Sequence, residues 1–81
     1  LIQPYPTDFR VFLQETLVNR CKLNPAYSMR AFAKQLGLEP SFLSKLLSGQ
    51  RRPSDETIRR ISDRLNLDPR QRDSYLKANR N

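Results

Sequence analysis

Hydrophobic residues recur with a period near 3.6 along most of this chain, and nowhere do they alternate with polar ones as a half-buried strand would require. The clearest stretch runs from Ser28 to Gly49, SMRAFAKQLGLEPSFLSKLLSG. Met29, Phe32, Ala33 and Leu36 fall at i, i+3, i+4 and i+7 and so line one face of a helix. Ser28 can cap it, because its side-chain oxygen accepts from first-turn amides that have no partner within the helix. Gly37 supplies the left-handed conformation that closes it. A second helix must start almost at once. Pro40 suits its first position, where the missing amide would be unpaired anyway, and Leu43, Leu46 and Leu47 give the apolar face before Gly49 stops it. Two helices joined by about three residues cross steeply, the geometry of a helix-turn-helix.

On either side the same period predicts three further helices. Residues 1–7, LIQPYPT, hold two prolines and form an N-terminal arm. Thr7 or Asp8 can cap a helix to about Lys22, with Phe9, Phe12, Leu13, Thr16, Leu17 and Cys21 on its apolar face. Val11 and Val18 lie off that face. Asn24-Pro25 ends it, since the residue before a proline is pushed out of the helical region. Beyond the turn QRRPS, Ser54 caps a helix whose first turn holds Asp55 and Glu56, where negative charge suits the helix dipole. Thr57, Ile58, Ile61 and Leu65 form its buried face, and Leu67 plugs the core after it. Asp68, Pro69 and Gln71 have the spacing of a helix start with a capping box, opening a last helix to about Ala78. Tyr75 and Leu76 are its main apolar groups, so it is expected to fray. The expected fold is all-α, a compact five-helix bundle over residues 8–78, followed by a polar tail at 79–81.

Charge changes this picture from a bundle to a bundle with a partner. The 81 residues carry 15 lysines and arginines against 8 acids and no histidine, a net charge of +7, which points to a polyanion. Residues 29–54 hold Arg30, Lys34, Lys45, Arg51 and Arg52 against Glu39 alone, so the excess sits on the two-helix motif. Arg59, Arg60 and Arg64 look like a solvated face, with Asp55, Glu56 and Asp63 as local partners. Cys21 is the single cysteine, which excludes an internal disulfide and a cysteine-based zinc site and makes a reducing cytoplasm the default. Its place on an apolar face predicts a buried structural thiol. No cofactor is expected. Enzymatic readings fail on inventory, for there is no histidine or glycine-rich phosphate loop, and no nucleophile has a base beside it. No run is apolar and long enough to span a membrane. The first residue is Leu, and the chain is expected to be an excerpt or processed piece of a longer protein.

The motif resembles the Cro and lambda-repressor-like DNA-binding domains. Ala33 stands at the small position where the two motif helices touch, Gly37 at the turn, Leu38 just after it, and Leu43 and Leu46 at the buried positions of the recognition helix. SGQRRPS and IRRISDRLNLDP are similar to that family's turn and closing segment, and the likeness covers about residues 9–69. The lead-in Cys-Lys-Leu-Asn-Pro-x-Tyr-Ser is similar to a subgroup of bacterial regulators in which a larger C-terminal part follows. The resemblance implies double-stranded DNA as the partner, a transcription-regulating role and a homodimer on a two-fold related site. Glu39 departs from it, since the family has Ser, Thr or Asp at the recognition-helix N-cap.

If the helix from Pro40 enters a major groove, the residues pointing away from its leucines are Ser41, Phe42, Ser44, Lys45 and Ser48. Lysine can donate to guanine O6 and N7, serine to bases or phosphate, and phenylalanine can pack on a thymine methyl. Gln50, Arg51 and Arg52 would grip phosphates on one flank; the amides at Ser28, aided by Arg30, would do so on the other. Phe42 becomes a core residue instead if the helix is rotated. The rival reading is a protein-interaction module of the same fold that has lost DNA binding and uses Phe42, Val11 and Val18 as contacts.

Overall fold

The computed structural model describes residues 8–80, so the arm at 1–7 and the last residue of the polar tail lie outside the described residues. Five helices follow one another: α1 (Phe9–Leu23), α2 (Met29–Leu36), α3 (Pro40–Ser48), α4 (Asp55–Arg64) and α5 (Pro69–Asn79). Among the described residues there is no strand.

Local side-chain chemistry sets most of the helix ends. Asp8 caps α1, accepting from the amides of Arg10 at 2.9 Å and Val11 at 3.4 Å. Ser28 caps α2 through the Ala31 amide at 3.2 Å, and Ser54 caps α4 through Thr57 at 3.1 Å. Gly37, at φ 72°, closes α2, and the amide of Leu38 reaches back to the Ala33 carbonyl at 2.9 Å. This is the left-handed closure that satisfies the orphan carbonyls of a helix end. The same closure ends α4 on a residue that no glycine signal marks: Asn66 adopts φ 53°, and Leu67 donates to the Ser62 carbonyl at 2.9 Å.

Phe32, Ala33, Leu36, Leu43, Ile58 and Ile61 are fully buried and form the centre, where α2, α3 and α4 meet. Phe9 and Leu13 bring α1 onto it, while Phe12, Leu17 and Thr16 stay half-buried at its margin. Arg20 ties the end of α1 to α2. Its guanidinium lies 5.8 Å from the Tyr27 ring centroid and 5.5 Å from that of Phe32, and it donates to the Tyr27 hydroxyl and to Gln35 Oε1. Cys21 is half-buried rather than enclosed, with its thiol donating to the Tyr27 carbonyl at 3.6 Å.

The expected fraying of α5 is not what the structure has. Tyr75 is 1% exposed and Leu76 6%, and the Tyr75 ring meets those of Phe9 and Phe12 at 5.1 and 5.2 Å between centroids. A polar latch holds its last turn: Asn79 Nδ2 donates to the Pro53 carbonyl at 3.1 Å and to Asp55 Oδ1 at 3.0 Å, and Arg80 donates to Asp55 Oδ2 at 3.3 Å. These bonds, the Asn79 bond foremost and the Arg80 charge after it, hold the Asp55 carboxyl below its ordinary range. The capping box at Asp68 is incomplete. Asp68 accepts from Arg70 at 2.8 Å, but Gln71 turns instead to the Tyr75 hydroxyl at 3.1 Å. Along α4 the expected partners make no close ion pair, although the Arg59 charge helps to lower the Asp55 carboxyl; among the described residues the ion pairs are Arg72–Asp73 and Arg80–Asp55.

Candidate nucleic-acid interface

Nine residues make a short helix, and α3 owes its orientation to the leucines beneath it. Leu43 and Leu46 are buried and Leu47 half-buried, which turns Ser41, Ser44, Lys45 and Ser48 outward, all exposed. Gln14 of α1 adds a cross-link by donating to the Leu47 carbonyl at 2.7 Å. Ser48 Oγ donates to the Lys45 carbonyl at 3.2 Å, so its hydroxyl hydrogen is used locally while its lone pairs stay available. The outward face therefore carries one cation and three small hydroxyls with no bulky group between them.

Phe42 differs from the other expected readers. It is half-buried and packs against the core, with the Arg51 guanidinium carbon 5.7 Å from its ring centroid. The ring thus serves as a rest for Arg51, an arrangement that pre-orders a long side chain over an aromatic face. Arg51 itself is exposed, as is Gln50, and the Arg51 amide donates to the Lys45 carbonyl at 3.2 Å, folding the basic turn back over the end of α3.

Arg52 has another employment. Its Nε donates to Asn79 Oδ1 at 3.2 Å and its Nη2 to the Asn79 main-chain carbonyl, so the guanidinium is bound to the end of α5. A residue expected to lie open to phosphate is part of the latch that holds α5 down. On the other flank Ser28 and Arg30 are exposed at the start of α2. Ser28 satisfies the Ala31 amide, which leaves the earlier first-turn amides directed outward at the positive end of the helix dipole. Glu39 stands at the α3 N-cap with no side-chain capping bond, and its charge is exposed beside the same edge.

Arg10 is the residue that the sequence did not disclose. Its guanidinium crosses from α1 to lie against Gly49, so closely that a Cβ at that glycine would collide with Nη1. Gly49, at φ 83°, needs to be glycine on conformational grounds as well. Arg10, Gly49, Arg51 and Arg52 line one groove of about 480 Å³ at the end of α3. No spacing rule links a first-turn arginine of one helix to the end of another, so only the folded structure brings them together.

Compared with curated proteins and with solved structures, the chain matches none. A family model described as helix-turn-helix matches residues 26–71, which takes in α2, the turn at Gly37, α3 and α4. Among the described residues, no helix is long and apolar enough to cross a membrane. The match spans more than half of the chain and falls on the exposed helix and its basic turn, so this protein belongs to the helix-turn-helix family of the Cro and lambda-repressor type, a family of DNA-binding regulatory domains.

Proposed function

We propose that the chain is the sequence-specific DNA-binding domain of a bacterial transcription regulator, with α3 in the major groove. The observation that carries this reading is the exposed face of Ser41, Ser44, Lys45 and Ser48, flanked by a basic turn on one side and the open start of α2 on the other. Lys45 supplies the strongest preference by donating to a guanine edge, and the serines adjust to neighbouring bases or phosphates. Phe42 contributes at its exposed margin, through a thymine methyl, while supporting Arg51. Gln50 and Arg51 grip phosphate beyond the end of α3; Ser28, Arg30 and the first amides of α2 grip it on the opposite flank. Such contacts set register and supply most of the affinity.

One domain of this size touches few base pairs. Two copies on a two-fold related site supply the missing affinity and specificity, and a C-terminal effector part would govern when they pair. The activity requires access to the chromosome, hence a cytoplasmic location. Titration of the chain against random duplex and a selected site at two salt concentrations tests the reading. About four neutralised phosphates per domain give a slope near −3.6 in log K against log salt. Absence of binding to either duplex at low salt would overturn it and leave the interaction module as the use of this fold.

A further inference from the structure

We infer that Arg10, together with Arg51, forms the phosphate grip at the end of α3, and that Arg52 is a structural latch rather than a DNA ligand. The inference deepens the DNA-binding reading and rests on it.

The three arginines that line the groove at the end of α3 are in different states. Arg52 donates through Nε and Nη2 to Asn79, whose side chain in turn bonds the Pro53 carbonyl and Asp55. Two of the five Arg52 donors are thus committed to the last turn of α5, and a phosphate that drew the side chain away would loosen that turn. Arg51 lies over the Phe42 ring with its donors exposed. Arg10 is exposed and has no hydrogen bond or ion pair from its guanidinium among the described residues, and it lies against Gly49. Asp8, the acid on this groove, directs its carboxylate at the amides of Arg10 and Val11 instead of at either guanidinium.

Helix electrostatics argue the same way. Arg10 is in the first turn of α1, where the helix dipole disfavours a cation; the Asp8 carboxylate at the N-cap offsets that dipole, but it is committed to the Arg10 and Val11 amides and makes no ion pair with the guanidinium among the described residues. An anion beside Gly49 would give that cation the partner it lacks. A guanidinium with several unused donors, lying at the end of the groove-entering helix, is suited to a bidentate phosphate contact. Arg10 would then bind the backbone of the same duplex whose bases α3 reads, so α1 helps to fix the register of α3.

Arg10→Gln, Arg10→Lys and Arg52→Gln, compared with the unaltered chain, test the assignment. Each is melted by circular dichroism and titrated with random duplex across a salt series. Losing one phosphate contact should make the Arg10→Gln slope shallower by about 0.9 and lower affinity about eightfold at 0.1 M salt. Its melting temperature should not fall, since a cation leaves a helix start. Arg10→Lys should restore most of the slope. Arg52→Gln should lower the melting temperature and keep the slope. An unchanged slope for Arg10→Gln overturns the assignment, as does a shallower slope for Arg52→Gln at unchanged stability. If the unaltered chain binds no duplex at low salt, the DNA reading itself has failed and the assignment with it.

Discussion

Ser62 lies in α4 at 2% exposure, and its Oγ has no hydrogen-bond partner among the described residues. Buried polar groups almost always find one, because leaving a hydroxyl unpaired forfeits its bonds to water at a cost of about 1–3 kcal/mol. Ser62→Ala removes the orphan and leaves the backbone untouched, including the carbonyl that accepts the Leu67 amide and closes the helix. Alanine is also the better helix former by about 0.5 kcal/mol. Against these gains stand the contacts of one oxygen atom, about 0.1–0.2 kcal/mol for each atom pair and about 0.5 kcal/mol in all. The balance is a stabilisation of about 1–3 kcal/mol, which at the ~4–8 °C per kcal/mol usual for a domain of this length corresponds to a rise of at least roughly 4–8 °C in melting temperature. Thermal melts and urea titrations measure it. The urea slope should stay the same, since the surface exposed on unfolding hardly changes. Ser62→Val serves as the companion, because added methyl groups in a packed interior should cost about 1–3 kcal/mol. If Ser62→Ala leaves the midpoint unchanged or lowers it, the hydroxyl is paired in solution and the reasoning is refuted. DNA affinity should not respond, as Ser62 is enclosed and away from the exposed face of α3.

Three further outcomes follow from the helix ends and the latch. Gly37→Ala places a side chain at φ 72° with its Cβ 3.1 Å from Arg64 Nη2; the flexible arginine can swing aside, so the left-handed strain of about 1 kcal/mol should dominate, read as a melt some 4–8 °C lower. Asp55→Asn tests the latch by its pH dependence. The folded pKa is held below the ordinary 3.8, so the stabilisation is complete above that value and disappears as pH falls through the folded one. The stability gap between the native chain and the variant should therefore close below about pH 3.8, and a gap that persists unchanged into stronger acid contradicts the assignment. Glu39→Ser gives α3 the cap it lacks and removes an acid from the DNA-facing edge, which should stabilise the fold by about 0.5–1 kcal/mol and tighten binding to random duplex at low salt. Weaker binding would mean that Glu39 orders a contact instead of opposing one.

Helix boundaries were legible wherever a single side chain or dihedral preference decides them. Ser28, Gly37, Pro40, Gly49 and Ser54 act on backbone within a turn of themselves, and the structure uses each as its chemistry dictates. Asn66 was not legible, because asparagine enters the left-handed region only when its surroundings favour it, here by seating Leu67 on the core. Gln71 had two attainable partners, and a buried Tyr75 hydroxyl outbid the helix start. The anchoring of α5 escapes the sequence for a similar reason. Its apolar residues are few, but Asn79 reaches a turn 26 residues earlier, and pairings at that separation leave no periodic trace. Within the candidate interface, the outward face of α3 follows from its leucines, whereas the employment of Arg52 and the arrival of Arg10 depend on tertiary approach.

On the proposed reading, folding and recognition fall to different atoms of the same short helix. A nine-residue helix does not persist in water by its own propensity. What holds α3 is Leu43 and Leu46 beneath it, Gln14 on the Leu47 carbonyl and the glycine closures that end α2 and α3. Ser41, Ser44, Lys45 and Ser48 take no part in that support beyond one local bond, so on the proposed reading exchanging them should change what is read with little effect on whether the domain folds. Phe42 is the exception, since its ring both packs on the core and carries Arg51. If α3 reads bases as proposed, a substitution there should couple base preference to phosphate grip and to stability, and for that reason the four exposed positions, and not Phe42, are where binding preference should change one base at a time.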